Sequence, residues 1–279
     1  MPGEASLSKC VLTDEPAVRR EDLGPVVLLT MNRAEQGNTL DADVLDGLLG
    51  HAGRLGEDED VRALVLTGAG RHFSLGGALD EFDRALGDDD ETALAYCRER
   101  ADVLAALVLG LRALPFPVIA AVNGQAAGAG FSLALACDLR IASERARLHF
   151  AYGALGASTD GGMSWLLPSL IGPARALTLL LEQPVIRPAQ ALQDGLVTEV
   201  VPHADLRERA LRVAAELAQN PRHSVAAAKR LVYASVTVSL AEHMRQEHRT
   251  FAEGLLTNDM RTALAARRDG RLRAIGGGR

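Results

Sequence analysis

Two glycine-rich turns give the first indication of chemistry in this sequence. Residues 68–77 (GAGRHFSLGG) follow an apolar strand pattern, and residues 123–130 (NGQAAGAG) lie between a strand pattern and a helix pattern. Neither has the Lys-Ser/Thr of a Walker A loop or the GxGxxG spacing of a dinucleotide-binding fold. Taken singly, each turn is explained by tight packing of a helix on a strand. Together, their unshielded backbone N–H groups would form an oxyanion hole, which stabilises negative charge on an ester or thioester oxygen.

These turns require a framework of strands and helices, which the sequence predicts over its first two thirds. Continuous apolar runs indicate buried strands, and apolar residues at helical spacing indicate helices. The predicted strands cover residues 25–31, 61–67, 117–122, 138–142 and 147–150, and the predicted helices cover residues 40–55, 91–114, 131–136 and 161–170. Beyond residue 203 only helix patterns remain, over residues 205–218, 224–234, 239–255 and 259–268. The prediction is an α/β core, residues 1–203, followed by a helical C-terminal region, residues 204–279.

Composition and charge exclude several classes of protein. The 279 residues are 48% hydrophobic and 24% charged, which is typical of a globular chain and not of a disordered or fibrous one. The formal net charge of −6 gives no electrostatic reason to expect nucleic-acid binding. Cys10, Cys97 and Cys137 are far apart and form no Cys/His cluster, so no metal site is expected. The sequence has neither a membrane-spanning stretch nor a signal-peptide profile, and we therefore expect a soluble, cytoplasmic protein.

Five segments of the chain are similar to a known enzyme family. Residues 117–143 (PVIAAVNGQAAGAGFSLALACDLRIAS) closely resemble the signature of the crotonase superfamily, the enoyl-CoA hydratases and isomerases. Supporting matches lie in the family's order and spacing at residues 30–40 (TMNRAEQGNTL), 73–82 (FSLGGALDEF), 192–201 (LQDGLVTEVV) and 258–268 (NDMRTALAARR). The resemblance implies a crotonase-like spiral of ββα units and a helical C-terminal trimerisation region that builds homotrimers or dimers of trimers. It also implies an acyl-CoA thioester substrate, with no cofactor beyond the coenzyme A of that substrate. The acidic balance and the lack of a membrane-spanning stretch lead us to expect no nucleic-acid or membrane partner.

The same resemblance assigns residues to the expected site. By position, the backbone N–H groups of Leu75 and Ala129 match the family's oxyanion hole. Arg33, Gln36 and Arg71 match loops that lie near the CoA nucleotide. Further substrate-binding residues are expected in and beside the two turns, at Ser74, Gly76, Gly77, Ala78, Gly128, Ser132 and Tyr152.

The acid–base residues differ from those of typical hydratases, which hold and split water between two glutamates. The matching positions here are Ser132 and Tyr152. Neither replaces a carboxylate as a base near neutral pH, since an unperturbed tyrosine has a pKa of about 10. One carboxylate remains nearby, on Asp160 in the segment LGASTDGG. Its placement resembles the catalytic aspartate of dienoyl-CoA isomerases and of ring-epoxide isomerases that act on phenylacetyl-CoA.

Two interpretations of Asp160 follow. From the residues alone, the better one is an N-cap of the helix predicted from residue 161. With the resemblance, catalysis is favoured: Asp160 takes a proton from one carbon and returns it two carbons away, and burial beside Trp165 and Leu166 raises its pKa. The predicted reaction is therefore double-bond or ring isomerisation, with Ser132 and Tyr152 shaping the acyl pocket. An atypical enoyl-CoA hydratase, a dehalogenase-like nucleophilic aspartate and a non-catalytic acyl-CoA-binding member stay as alternatives.

Overall fold

Two sheets form the core of the chain. The structure, a computed structural model, describes residues 15–268, so Cys10 and both chain ends lie outside the described residues. The large sheet has strand order β1-β2-β3-β5-β7-β9 and the small sheet has order β4-β6-β8. The strands are β1 (Val18–Leu23), β2 (Val26–Met31), β3 (Ala63–Gly68), β4 (His72–Ser74), β5 (Val118–Val122), β6 (Gln125–Ala127), β7 (Leu139–Ser143), β8 (Arg147–His149) and β9 (Glu199–Val201). All neighbours pair in parallel except β1 and β2.

Helices follow the strands in a regular order. They are α1 (Ala42–Glu57), α2 (Leu79–Asp88), α3 (Asp90–Ala113), α4 (Ala129–Ala136), α5 (Met163–Ile171), α6 (Pro173–Glu182), α7 (Pro188–Gln193), α8 (Leu206–Leu217), α9 (Arg222–Ala234), α10 (Leu240–Gly254) and α11 (Asn258–Arg268). The chain passes from a large-sheet strand to a small-sheet strand and then to a helix, three times in succession. This confirms the predicted α/β fold, a spiral of ββα units. No helix among residues 15–268 is long and apolar enough to cross a membrane.

The central strands of the large sheet are buried on both faces, as their apolar sequences require. Successive residues of a strand point to opposite faces, so Leu64 and Val65 belong to different buried clusters. Leu64 packs in one cluster with Phe131 of α4, whereas Val65 packs in the other with Ala210 of α8. Helix α8, which the predicted boundary at residue 203 assigns to the C-terminal region, thus lies directly on the core sheet. The boundary itself stays a prediction.

The contact between the two glycine-rich turns is tightest at Gly124. A Cβ atom on this residue would lie 1.8 Å from the carbonyl oxygen of Arg71. We therefore expect Gly124→Ala to lower the free energy of unfolding by about 1–3 kcal/mol or more, because backbone would have to move. Gly53→Ala is the matched control: Gly53 lies in α1 with no atom near its Cβ position, so this change is expected to stabilise by about 0.5–1 kcal/mol. Denaturant unfolding measures both, and equal stabilities would contradict the contact.

Candidate active site

The two glycine-rich turns meet as the sequence predicted. Gly76 has a φ of +92°, and a Cβ on it would lie 2.6 Å from the carbonyl oxygen of Ala127 and 3.3 Å from the nitrogen of Ala129. A Cβ on Gly130 would lie 2.5 Å from the carbonyl oxygen of Ser74. Backbone therefore touches backbone here, and only glycine permits so close an approach.

Two buried asparagines, which sequence analysis did not single out, hold the first turn in place. The Asn123 amide donates to the carbonyl oxygens of Gly70 and His72, at 3.0 and 3.2 Å. The Asn38 amide donates to the carbonyl oxygens of Ala69 and His72, at 2.9 and 2.8 Å. Both asparagines lie within segments that carry the family resemblance, and this resemblance is the sequence signal that could have identified them.

The two expected oxyanion-hole donors differ in their present bonding. Ala129 is the first residue of α4, and within residues 15–268 its N–H has no hydrogen-bond acceptor. The N–H of Leu75 donates to the carbonyl oxygen of Gly37 at 3.0 Å. The two turns thus supply one N–H without an acceptor among the described residues, that of Ala129, and one that is already hydrogen-bonded, that of Leu75.

A hydrogen-bonded group surrounds the Asp160 carboxylate. The Tyr152 hydroxyl donates to Asp160 Oδ1 at 2.7 Å, and the Ser132 hydroxyl lies 2.9 Å from the Tyr152 oxygen. Ser132 Oγ is also 3.0 Å from the carbonyl oxygen of Asp160. Ser132 lies on α4, so one short helix positions both the open N–H of Ala129 and this hydroxyl. The two residues at the glutamate positions of typical hydratases therefore both contact Asp160. Tyr152 bonds to its carboxylate, and Ser132 lies against its carbonyl oxygen.

The N-cap interpretation of Asp160 is wrong. Helix α5 begins at Met163, and its N-cap residue is Gly162, with no side-chain capping bond. Gly161 has a φ of +55°, and a Cβ on it would lie 2.9 Å from the Ser132 Cβ and 3.0 Å from Leu104 Cδ2. This tight turn directs the Asp160 carboxylate toward Tyr152 instead of toward the helix start.

Burial sets the proton affinities of this group. Desolvation raises the pKa of the Asp160 carboxyl, and the hydrogen bond from Tyr152 partly opposes that rise. Burial and the nearby Asp160 charge raise the pKa of Tyr152, which therefore remains a donor at neutral pH. The Arg112 guanidinium lies 5.3 Å from the ring centre of Trp165, the residue expected beside Asp160. Asp160 itself keeps access to solvent. The Asp160 carboxylate is therefore more basic than that of an ordinary aspartate.

Removing the Tyr152 hydroxyl tests this electrostatic arrangement. The hydrogen bond stabilises the ionised carboxylate, so Tyr152→Phe is expected to raise the pKa of Asp160 above its wild-type value. Titration of the Asp160 carboxyl carbon by ¹³C NMR measures the change. Tyr233→Phe is the control, because that hydroxyl bonds to Asp138 and should leave Asp160 unchanged. An unchanged or lower pKa in Tyr152→Phe would show that the hydrogen bond is absent in solution.

The loops expected near a nucleotide also come together. Gly70 lies against the loop that contains Arg33 and Gln36. Gln36 and Arg71 are exposed, whereas Arg33 is half-buried and lies 3.6 Å from the Asp43 carboxylate.

The rest of the expected site surrounds the turns. Gly77 and Ala78 lead into α2, and Gly128 precedes α4 with its N–H donated to His149.

Comparisons with known proteins agree with this architecture. The family model described as enoyl-CoA hydratase/isomerase matches residues 22–270. A probable enoyl-CoA hydratase of Mycobacterium tuberculosis is 35% identical over 250 residues, which are 88% of this chain and 87% of that protein. The 1,2-epoxyphenylacetyl-CoA isomerase of Escherichia coli is 36% identical over 216 residues, which are 77% of this chain and 81% of that protein. The crystal structure of an enoyl-CoA hydratase from Bacillus anthracis has a TM-score of 0.85 and 31% identity, covering 94% of this chain and all of that one. The chain therefore belongs to the enoyl-CoA hydratase/isomerase family.

Proposed function

We propose that this protein isomerises an acyl-CoA thioester, moving a double bond or rearranging a ring through an enolate, with Asp160 as the acid–base residue. One observation carries the proposal: the Asp160 carboxylate accepts a hydrogen bond from Tyr152, which is itself bonded to Ser132. Where a typical hydratase has two glutamates, this chain has a tyrosine that donates to a single carboxylate and a serine that contacts this tyrosine.

The steps of a 1,3-proton shift fit these groups. Asp160 Oδ2, which no hydrogen bond engages among the described residues, removes a proton from the substrate carbon, and the electron pair moves onto the thioester oxygen. The open N–H of Ala129 stabilises that negative charge. The N–H of Leu75 is the second donor. It already donates to the Gly37 carbonyl oxygen, so the thioester oxygen would share this N–H with that acceptor. Asp160 then returns the same proton two carbons away, so no net proton is gained or lost.

Hydration in typical hydratases needs two carboxylates, and this site has one, that of Asp160. A water molecule must be deprotonated while a second group protonates the substrate carbon, and typical hydratases divide these tasks between two carboxylates. The raised pKa of Tyr152 prevents it from acting as a base near neutral pH. The bonding around Asp160 thus supports isomerisation over hydration.

The proposal includes coenzyme A as part of the substrate and no additional cofactor. It also includes a homotrimer or a dimer of trimers. Large apolar side chains on and after α10 support assembly, since Phe251 and Leu256 are 70% and 73% exposed in the single chain. A second copy of the chain would cover such side chains.

The test is an ultraviolet assay of the 2-enoyl thioester band, run in parallel on 3-enoyl-CoA and 2-enoyl-CoA. We expect the band to grow from the 3-enoyl substrate. Decay of the band from the 2-enoyl substrate would identify an atypical hydratase and overturn the mechanism. If neither thioester reacts while both bind, thioesters of other acyl groups, including ring-epoxides, are screened next. Binding without turnover throughout that screen would replace the proposal with the non-catalytic alternative.

A further inference from the structure

One face of α3 connects the two halves of the candidate site. Tyr96, Arg100 and Leu104 follow at intervals of four residues and so lie on the same side of the helix. At one end, the Tyr96 ring packs edge-on against Phe82, with ring centres 5.8 Å apart. Phe82 in turn lies 2.8 Å from the position of a Cβ on Gly77, in the oxyanion turn.

The other end of this face reaches the Asp160 turn. Leu104 Cδ2 lies 3.0 Å from the position of a Cβ on Gly161, the residue after Asp160. Arg100 is therefore located along the wall that runs from the oxyanion turn to the acid–base residue. An acyl group that extended from the oxyanion hole toward Asp160 would pass along this face of α3.

Arg100 has hydrogen-bonding capacity that the protein does not use. Its side chain is 13% exposed, and its Nε and Nη1 atoms are buried with no hydrogen-bond partner among the described residues. Nη2 alone is paired, at 2.5 Å from a carboxylate oxygen of Glu99. The protein therefore buries a guanidinium and leaves part of its donor set unsatisfied. Buried donors without acceptors cost free energy, which a ligand that supplies acceptors recovers.

We propose that Arg100 binds a carboxylate carried by the acyl group, so that the substrates are CoA thioesters of dicarboxylic acids. The inference rests on the proposed function for its thioester, and it adds the chemistry of the acyl end. A neutral oxygen would accept a hydrogen bond but leave the charge without a counterion. A carboxylate supplies both and fits the planar guanidinium.

The edge formed by Nη1 and Nη2 is the place where the substrate carboxylate binds. Glu99 now holds Nη2, but its own side chain is 67% exposed, so water solvates the Glu99 carboxylate when it leaves Arg100. The substrate carboxylate displaces Glu99 and accepts from both nitrogens.

Calorimetric titration with saturated thioesters tests this assignment without requiring turnover. The probes are glutaryl-, adipyl- and suberyl-CoA, each compared with the methyl-ended thioester of equal carbon number. We expect the wild type to bind at least one dicarboxylic thioester about tenfold or more tightly than its methyl-ended counterpart. Arg100→Gln should abolish this preference, and Glu99→Gln should keep or increase it. Arg98→Gln, on the exposed side of α3, is the matched control and should change nothing.

Two further readouts separate the possible failures. Arg100→Gln removes two buried donors that lack acceptors among the described residues, so its thermal midpoint is expected to equal or exceed that of the wild type. Lost binding in this variant would then not be caused by unfolding. Asp160→Asn should retain the preference, because it leaves Arg100 intact. A preference without isomerase turnover would overturn the proposed function and support the role of Arg100. Equal or tighter binding of methyl-ended thioesters at every length, or a preference that survives Arg100→Gln, would overturn that role.

Discussion

Asp160→Asn is expected to reduce isomerisation of 3-enoyl-CoA by about 10²–10⁴-fold, the usual contribution of a positioned acid–base group. Asparagine has almost the same shape, and its amide oxygen still accepts the Tyr152 hydrogen bond that Asp160 Oδ1 accepts now. What it lacks is the ability to take up and return a proton. Initial rates at the 2-enoyl thioester band measure the loss, and calorimetry on the same variant should show that CoA thioesters still bind.

Asp102→Asn is the matched control, since Asp102 is an exposed aspartate of α3. Its rate should equal that of the wild type. An Asp160→Asn variant that keeps most of the wild-type rate would remove Asp160 from the mechanism. A dehalogenase-like nucleophile would also lose activity in this variant, but the wild type would then form a covalent ester on Asp160. Mass spectrometry of the quenched wild-type reaction distinguishes the two, and we expect no added mass.

The parts of the fold that were predictable are those whose pattern is local. All six residues of β2 are buried and five of them are apolar, so the sequence alone indicates a strand covered on both faces. Strand β1 has the sequence VRREDL and, among the described strands, pairs with β2 alone at the edge of the sheet. Its charged residues break the apolar pattern by which a strand is predicted from sequence. Strands β4 and β6 have three residues each and lie inside the glycine-rich turns, which is too short for any periodicity to appear.

The site was predictable in its members but not in its bonding. The pattern around Asp160 fits an N-cap as well as a catalytic carboxylate, and the distinction depends on Ser132 and Tyr152, 28 and 8 residues earlier in the chain. Those contacts arise from the packing of α4 against the turn at Gly161. The unsatisfied donors of Arg100 are equally invisible in sequence, because an arginine on a helix is usually solvated.

Ala129→Pro is expected to lower kcat/KM by about 10²–10³-fold, the usual effect of losing one oxyanion-hole donor. Proline removes the N–H, and at the first residue of a helix this costs no intrahelical hydrogen bond. Gly128 has φ 50° and ψ −124°, the mirror image of the extended conformation that a residue before proline prefers, and glycine adopts it freely. The helix is therefore expected to form in the variant, which circular dichroism and thermal unfolding can verify.

Ala129→Gly is the control for this change, because it alters the side chain and keeps the N–H; most of the wild-type rate should remain. A folded Ala129→Pro variant with full activity would show that another group holds the thioester oxygen. The hydrogen bonding of the two N–H donors also predicts which of them stabilises the enolate more. The N–H of Leu75 is shared with Gly37, whereas that of Ala129 has no competing acceptor among the described residues. A donor with no competitor needs no rearrangement when the enolate forms, so Ala129 should supply the larger part of the stabilisation.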